Sequence, residues 1–218
     1  MEKLHLEIFN PKRKEIFDKL SAFREKGYLA GGTALALQLG HRISYDFDIF
    51  CLDEISDRFP EKVREILDIN KVSINNSDEF TFFTENDIKI SFVFYPFILK
   101  KYVLEFNDCP LKIISPLGVA LTKAYAMNRR NAWRDYVDLY IILKNKLINL
   151  ENIIKEAKDV YGELFNEKLF LAQLLYTEDI SETEIMNTPM IEDEVSLDEV
   201  VDFFKKEIDA YSVNKLKN

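Results

Sequence analysis

The sequence predicts a two-part α/β protein: a mixed sheet with flanking helices over residues 1–114, then a helical lobe over residues 115–218. Three observations predict it. Before residue 115, helical and strand-like patterns alternate and then give way to a run of strand-like segments. After Ser115-Pro116, apolar residues recur at helical spacing and no convincing strand follows. The composition, 47% apolar with 17 phenylalanines in 218 residues, is enough for a sizeable core.

The elements follow in order. Asn10-Pro11 opens the first helix, with Asn as N-cap and Pro in the first turn. Ile16, Leu20 and Phe23 recur at i, i+4, i+7 and lay one face on the core, and Gly27 is expected to end this helix. Tyr28-Leu29-Ala30 reads as a short strand that delivers the chain to Gly31-Gly32. A short apolar helix, Ala34 to Leu39, closes at Gly40. A turn through His41 to Tyr45 leads into a strand, Asp46 to Phe50, that alternates acid and hydrophobe. Ser56 to Ile69 reads as an amphipathic helix with Phe59, Val63, Ile66 and Ile69 as its buried stripe. Strand-like runs follow at Lys71–Asn75, Phe80–Thr84 and Asp87–Phe97, with a hairpin turn at Asn86-Asp87, and a short last strand at Lys112–Ile114. Beyond Ser115 the expected helices are Pro116–Asn128, Trp133–Asn145, Asn149–Tyr161, Asn166–Tyr176 and Ser196–Tyr211. The acidic stretch Thr177–Glu194 is poor in pattern and reads as a loop with one helical turn.

Chemistry concentrates in the first part. Residues i and i+2 of a strand share a face, so Asp46 and Asp48 point together while Phe47 and Ile49 point into the core. Two carboxylates on one strand face repel each other. A hard divalent cation relieves that repulsion, and Mg²⁺ is the usual ion where phosphates complete its shell. Four of the six glycines fall within the fourteen residues Gly27–Gly40. Gly31-Gly32 leaves backbone N–H groups open at a helix N-terminus, where phosphate binds readily. A phosphate cradle and a metal clamp joined by one helix are the parts of a phosphoryl- or nucleotidyl-transfer site. Asp-x-Asp alone is a common surface pair and Gly-Gly alone is usually a turn; it is their spacing, with a helix between, that points to chemistry.

Gly31-Gly32-Thr33-Ala34-Leu35-Ala36-Leu37, followed by Arg42-x-Ser44-x-Asp46-x-Asp48-x-Phe50, resembles the first motif of the nucleotidyltransferase superfamily. Its closer wording is similar to the AbiEii/AbiGii-type nucleotidyltransferase toxins of bacterial toxin–antitoxin systems. A second run, Lys123-x-x-Ala126-x-x-x-Arg130-x-x-x-Arg134-Asp135-x-x-Asp138-Leu139, resembles the C-terminal motif of the same family. By motif the resemblance covers roughly Gly27–Phe50 and Pro116–Leu143.

The resemblance implies a nucleotidyltransferase-like mixed sheet followed by a helical lobe that completes the active-site cleft. It implies Mg²⁺ on Asp46 and Asp48, an NTP as substrate, and phosphate partners at Gly31, Gly32, Thr33, Arg42 and Ser44. Lys123 takes the triphosphate role by position, its ammonium expected to face the nucleotide from a solvent-filled cleft. Asp135 is the preferred second-motif catalytic acid, with Asp138 as the alternate. Arg129, Arg130 and Arg134 form a basic run suited to an RNA backbone. The implied acceptors are RNA, notably tRNA, or a protein side chain, and the implied partner is a cognate antitoxin. One departure stands out. The family's third carboxylate, on a neighbouring strand, aligns with Ile90-Ser91-Phe92, and serine cannot supply that charge. A module of this fold without turnover, or a phosphotransferase moving the γ-phosphate, therefore stays open beside the transferase.

The remaining composition narrows the classes. A net charge of −9 argues against a broad nucleic-acid platform while leaving room for a local basic patch. Cys51 and Cys109 make no disulfide framework and read as reduced core thiols. The charged opening, Met1 to Glu7, lacks the apolar region of a signal peptide, and no run approaches the ~18–20 apolar residues of a membrane span. The expected location is the cytoplasm.

Overall fold

The computed structural model describes residues 3–107, 109–191 and 194–217. The chain divides into two compact units, Met1–Ser115 and Pro116–Asn218.

The first unit is built on a seven-stranded mixed sheet. Its strands are β1 (Gly27–Ala30), β2 (Phe47–Cys51), β3 (Ile69–Asn75), β4 (Glu79–Thr84), β5 (Lys89–Phe94), β6 (Val103–Leu104) and β7 (Lys112–Ile114), in the order β3-β4-β5-β2-β1-β7-β6. β2 pairs antiparallel with β1 and parallel with β5, and β1 pairs parallel with β7. Two cross-strand rows define the buried face: Phe47, Ile90 and Phe82 in one, Ile49, Phe92 and Phe80 in the next. All six are fully buried. They meet Phe17 and Phe23 from the first helical segment and Phe59 from the third, with ring centroids about 5–6 Å apart. Burying each such ring stabilises by roughly 1.5–3 kcal/mol, so a one-residue slip of β2, which would exchange Phe47 and Ile49 for Asp46 and Asp48, is strongly disfavoured.

Among its described residues this unit carries the α-helices α1 (Pro11–Lys19), α2 (Gly31–Leu39) and α3 (Phe59–Arg64). The Asn10 side chain caps α1 by accepting from the Arg13 N–H at 2.9 Å, as the Asn-Pro start predicts. Several boundaries differ from expectation. Gly27 ends no helix: α1 stops at Lys19, a 3-10 turn runs Leu20–Phe23, and Gly27 opens β1. A Cβ there would collide with the Phe50 carbonyl, so this glycine is required for β1 to lie against β2. α2 begins at Gly31, three residues earlier than expected, and ends at Gly40, whose φ of +63° is the left-handed C-cap conformation. The helix expected over Ser56–Ile69 is only α3; Leu67 is buried, while Ile66 and Ile69 are half-buried because Ile69 already starts β3. The hairpin turn at Asn86-Asp87 forms with Asp87 at φ +58°. β6, a two-residue edge strand, has no sequence signal of its own. Cys51 and Cys109 are free and buried, and burial pushes both thiols up to about 11.

The second unit is helical among its described residues: α4 (Pro116–Met127), α5 (Trp133–Lys144), α6 (Leu150–Tyr161), α7 (Glu167–Gln173), α8 (Glu182–Met186) and α9 (Leu197–Lys217). Asn149, Asn166 and Ser181 cap α6, α7 and α8 by accepting a backbone N–H. α4 touches α5, α6 and α7, and α9 lies against α5 and α6. Trp133, Tyr136, Tyr140, Phe170 and Phe204 fill the interior. α9 runs past the expected end at Tyr211, and α7 stops short of Tyr176. The expected loop Thr177–Glu194 contains α8, and Glu184 there accepts the Trp133 N–H at 2.6 Å, capping α5. Glu192 and Asp193 of that stretch lie outside the described residues, as do Met1 and Glu2 of the charged opening. Among the described residues, no helix is long and apolar enough to cross a membrane.

Candidate active site

In the first unit, β1 hands the chain to the first turn of α2, and the antiparallel register sets Ala30 opposite Asp48. Gly31 adopts φ +66°, a conformation that side chains resist. A Cβ on Gly31 would stand 2.6 Å from Asp48 Oδ2, and one on Gly32 would collide with an Arg42 guanidinium nitrogen and come within 3.3 Å of Ser44 Oγ. The glycine pair is thus a floor on which three polar side chains rest. Asp48 lies against the first glycine, Arg42 and Ser44 against the second.

Burial along β2 alternates as its pattern predicts. Phe47 and Ile49 are sealed, while Asp46, just ahead of the strand, and Asp48 within it are half-buried. The turn between α2 and β2 is tied down by Thr33, whose hydroxyl bonds Ser44 Oγ at 2.8 Å and donates to the Asp46 carbonyl. Thr33 is buried, and its hydroxyl holds the turn. Arg42 donates to the Ile43 carbonyl at 3.1 Å.

The parallel register places Ser91 of β5 directly beside Asp48. Ser91 is buried and its hydroxyl is hydrogen-bonded with that of Thr81 at 2.9 Å, while Thr81 donates to the Glu79 carboxylate. The neighbouring-strand position is therefore a neutral hydroxyl pair. Among the described residues no group of three His, Cys, Asp or Glu side chains could hold a metal. Two carboxylates do fit one Mg²⁺, an ion that keeps several waters and takes one or two carboxylates plus substrate phosphates.

The second unit carries the other constellation. Lys123, on α4, is buried; its Nζ lies 2.6 Å from Asp135 Oδ1 and 2.9 Å from Asp138 Oδ2, both carboxylates being fully buried on α5. Arg130 adds a second cation to Asp135, with Nε 3.0 Å from Oδ2 and a second guanidinium nitrogen 3.3 Å from Oδ1. Burial alone would push Asp135 up, but Lys123 and Arg130 outweigh it and hold its carboxyl below the usual range. The solvent-facing ammonium expected for Lys123 is corrected here: the side chain is 7% exposed and clamped by two acids. Asp135 and Asp138 both bind this lysine. Arg129 stacks on Tyr125, its guanidinium carbon 3.6 Å from the ring centroid, and Arg134 is exposed.

Comparison with known proteins sets these groups in context. The chain is 31% identical over 196 residues to the uncharacterised protein aq_aa25 of Aquifex aeolicus (strain VF5), covering 86% of this chain and 88% of that one. Its fold matches JHP933 from Helicobacter pylori with a TM-score of 0.55 at 16% identity, covering 99% of this chain and 100% of the other. It also matches MenT4, the nucleotidyltransferase toxin Rv2826c from Mycobacterium tuberculosis H37Rv, with a TM-score of 0.56 at 17% identity, covering 90% and 80% of the two chains. The sequence model of the nucleotidyl transferase AbiEii toxin family, a type IV toxin–antitoxin system, matches residues 16–211, and the chain belongs to that family.

Proposed function

We propose that this protein is a Mg²⁺-dependent nucleotidyltransferase, the toxin of a bacterial toxin–antitoxin pair, that moves a nucleoside monophosphate from an NTP to an RNA or protein acceptor. The observation that carries the reading is the glycine floor: Asp48 against Gly31, with Arg42 and Ser44 against Gly32, at the N-terminus of a nine-residue helix. Backbone N–H groups of Gly31, Gly32 and Thr33 receive phosphate oxygens there. The Arg42 guanidinium adds charge-assisted hydrogen bonds and the Ser44 hydroxyl a neutral one. Asp46 and Asp48 hold the cation, which when bound neutralises charge developing on the leaving pyrophosphate. An acceptor hydroxyl attacks the α-phosphorus and gives up its proton to solvent, the bond from the α-phosphorus to the α,β-bridging oxygen breaks, and pyrophosphate departs.

By family resemblance Lys123 and Asp135 join the catalytic set, Asp138 sharing the lysine. Arg129, Arg130 and Arg134 offer cations to an RNA backbone, and tRNA is the acceptor the family points to. The reading places the protein in the cytoplasm with an antitoxin as its partner.

The test is incubation of the protein with each α-labelled NTP, Mg²⁺ and total RNA. Label in tRNA with pyrophosphate release is the expected result, and label in protein would redirect the acceptor. Release of nucleoside diphosphate would replace the reading with a γ-phosphotransferase. Transfer nowhere, with binding retained, would favour a module without turnover, the outcome that Ser91 beside Asp48 supports.

A further inference from the structure

Arg13 lies ahead of the family-matched span of residues 16–211 and has no part in the chemistry above, yet it is among the most deeply buried charges of the first unit, only 4% exposed. Its backbone is fixed in the first turn of α1 by the Asn10 cap. Its guanidinium is ringed by aromatics, with the central carbon 4.8 Å from the Phe9 centroid, 5.5 Å from Tyr45 and 5.8 Å from Phe47. One terminal nitrogen donates to the Ser44 carbonyl and the other to the Ile8 carbonyl at 3.3 Å. Nε is buried and has no hydrogen-bond partner among the described residues. Burying a guanidinium with an orphaned donor is costly, and an apolar side chain of similar volume would suit a plain core better. What the arginine secures is therefore informative.

It secures the turn that carries Arg42, Ser44 and Asp46. Thr33 holds this turn from one side through Ser44 Oγ and the Asp46 carbonyl. Arg13 holds it from the other through the Ser44 carbonyl. Burial disfavours the charged Arg13, and Tyr45 and Asp46 act against that. Tyr45, between Ser44 and Asp46 in sequence, contributes its ring to the Arg13 cage.

We infer that Arg13 is a positioning residue: from α1 it pins the Ser44–Asp46 turn, so that the Ser44 hydroxyl and Asp46 carboxylate are presented in fixed geometry to a metal-bound nucleotide. The inference rests on the nucleotide-site reading above. It assigns Arg13 no contact with substrate.

The experiment uses the full chain with Arg13→Met, which removes the charge at similar length, and Arg13→Lys, which keeps the charge but replaces the planar fork with a single point of donation. Calorimetric titration with MgATP, MgGTP, MgCTP and MgUTP is read beside amide hydrogen exchange. The expected result is about tenfold weaker binding of the preferred nucleotide by R13M, with partial recovery in R13K, an effect typical of outer-sphere positioning groups. Exchange should quicken in residues 41–47 and stay unchanged in α4 and α5. A parent that binds a nucleotide while R13M binds it equally well overturns the role of Arg13 alone. A parent that binds none of the four fails the site reading, and the role of Arg13 with it. If R13M does not fold, R13K decides: parent-like binding and exchange in that variant overturn the inference.

Discussion

The two units each carry a pair of aspartates, and the pairs differ in nearly every physical respect. Asp46, just ahead of β2, and Asp48, within it, are two residues apart and half-buried, and Asp48 rests against Gly31. Asp135 and Asp138 are three apart on a helix, fully sealed, and held by Lys123 and Arg130. Both spacings put the two carboxylates on one face of their element. Burial separates their consequences. A sealed carboxylate must be neutralised within the fold, so the second pair is bound up with stability whatever else it does. A half-buried pair is not forced into such neutralisation by burial, and that leaves it compatible with the proposed cation.

The sharpest way to break this contrast is Lys123→Ala. It removes the cation shared by two buried carboxylates, a change that costs about 3–5 kcal/mol. At about 2–4 °C per kcal/mol for a chain of this size, the unfolding midpoint should fall by roughly 10 °C. Thermal unfolding followed by circular dichroism checks it, and an unchanged midpoint would show that the cluster is not the sealed ion network described. Next in size is Gly31→Val. A β-branched residue at φ +66° costs at least about 1–2 kcal/mol, and its Cβ would press on Asp48. Gly32→Val should be milder for stability, since it displaces the Arg42 guanidinium and not backbone, yet equally damaging to nucleotide binding. Retained binding in both variants would mean the phosphate floor lies elsewhere.

Asp46→Asn and Asp48→Asn should move the midpoint by less than about 2 °C in metal-free buffer, because half-exposed acids make small contributions. Both should abolish label transfer. A midpoint drop as large as that of Lys123→Ala would make the first pair structural too, and the contrast would vanish.

The smallest effect concerns a third acid. Glu167, at the start of α7, is pushed up by burial but pulled down to about 2 by Lys158, Lys215 and Tyr211. Its folded pKa lies below the unfolded value of about 4.3. Its contribution is therefore complete above the unfolded pKa and is lost as pH falls towards about 2. Asp135 shifts in the same direction. Midpoints measured between pH 6 and pH 2 should show a shallower acid-side decline for Glu167→Gln than for the parent, and parallel curves would remove Glu167 from the ion network that ties α9 to α6 and α7.

The first motif was legible in sequence because its physics is local. A period of two puts Asp46 and Asp48 on one face, and Gly31 and Gly32 stand where no side chain fits. The helix starts at Asn10-Pro11, Asn149 and Asn166 were legible for the same reason, a cap being a bond across three residues. Ser91 was singled out by motif, but only the strand register set it beside Asp48. Gly27 was misread because its reason is the Phe50 carbonyl of a neighbouring strand, which no pattern around residue 27 reveals.

By itself, then, the sequence determined the alternation that builds the sheet, the caps and glycines that frame α2, and the acids that share a face. The tertiary structure decided which charges are sealed: Lys123 against Asp135 across two helices, Arg13 against Ser44 across thirty-one residues, Glu184 at the start of α5. The physical reason is that periodicity fixes the direction of a side chain from its own backbone. Burial and ion pairing depend on what arrives from elsewhere in the chain, and that is settled only when the core closes.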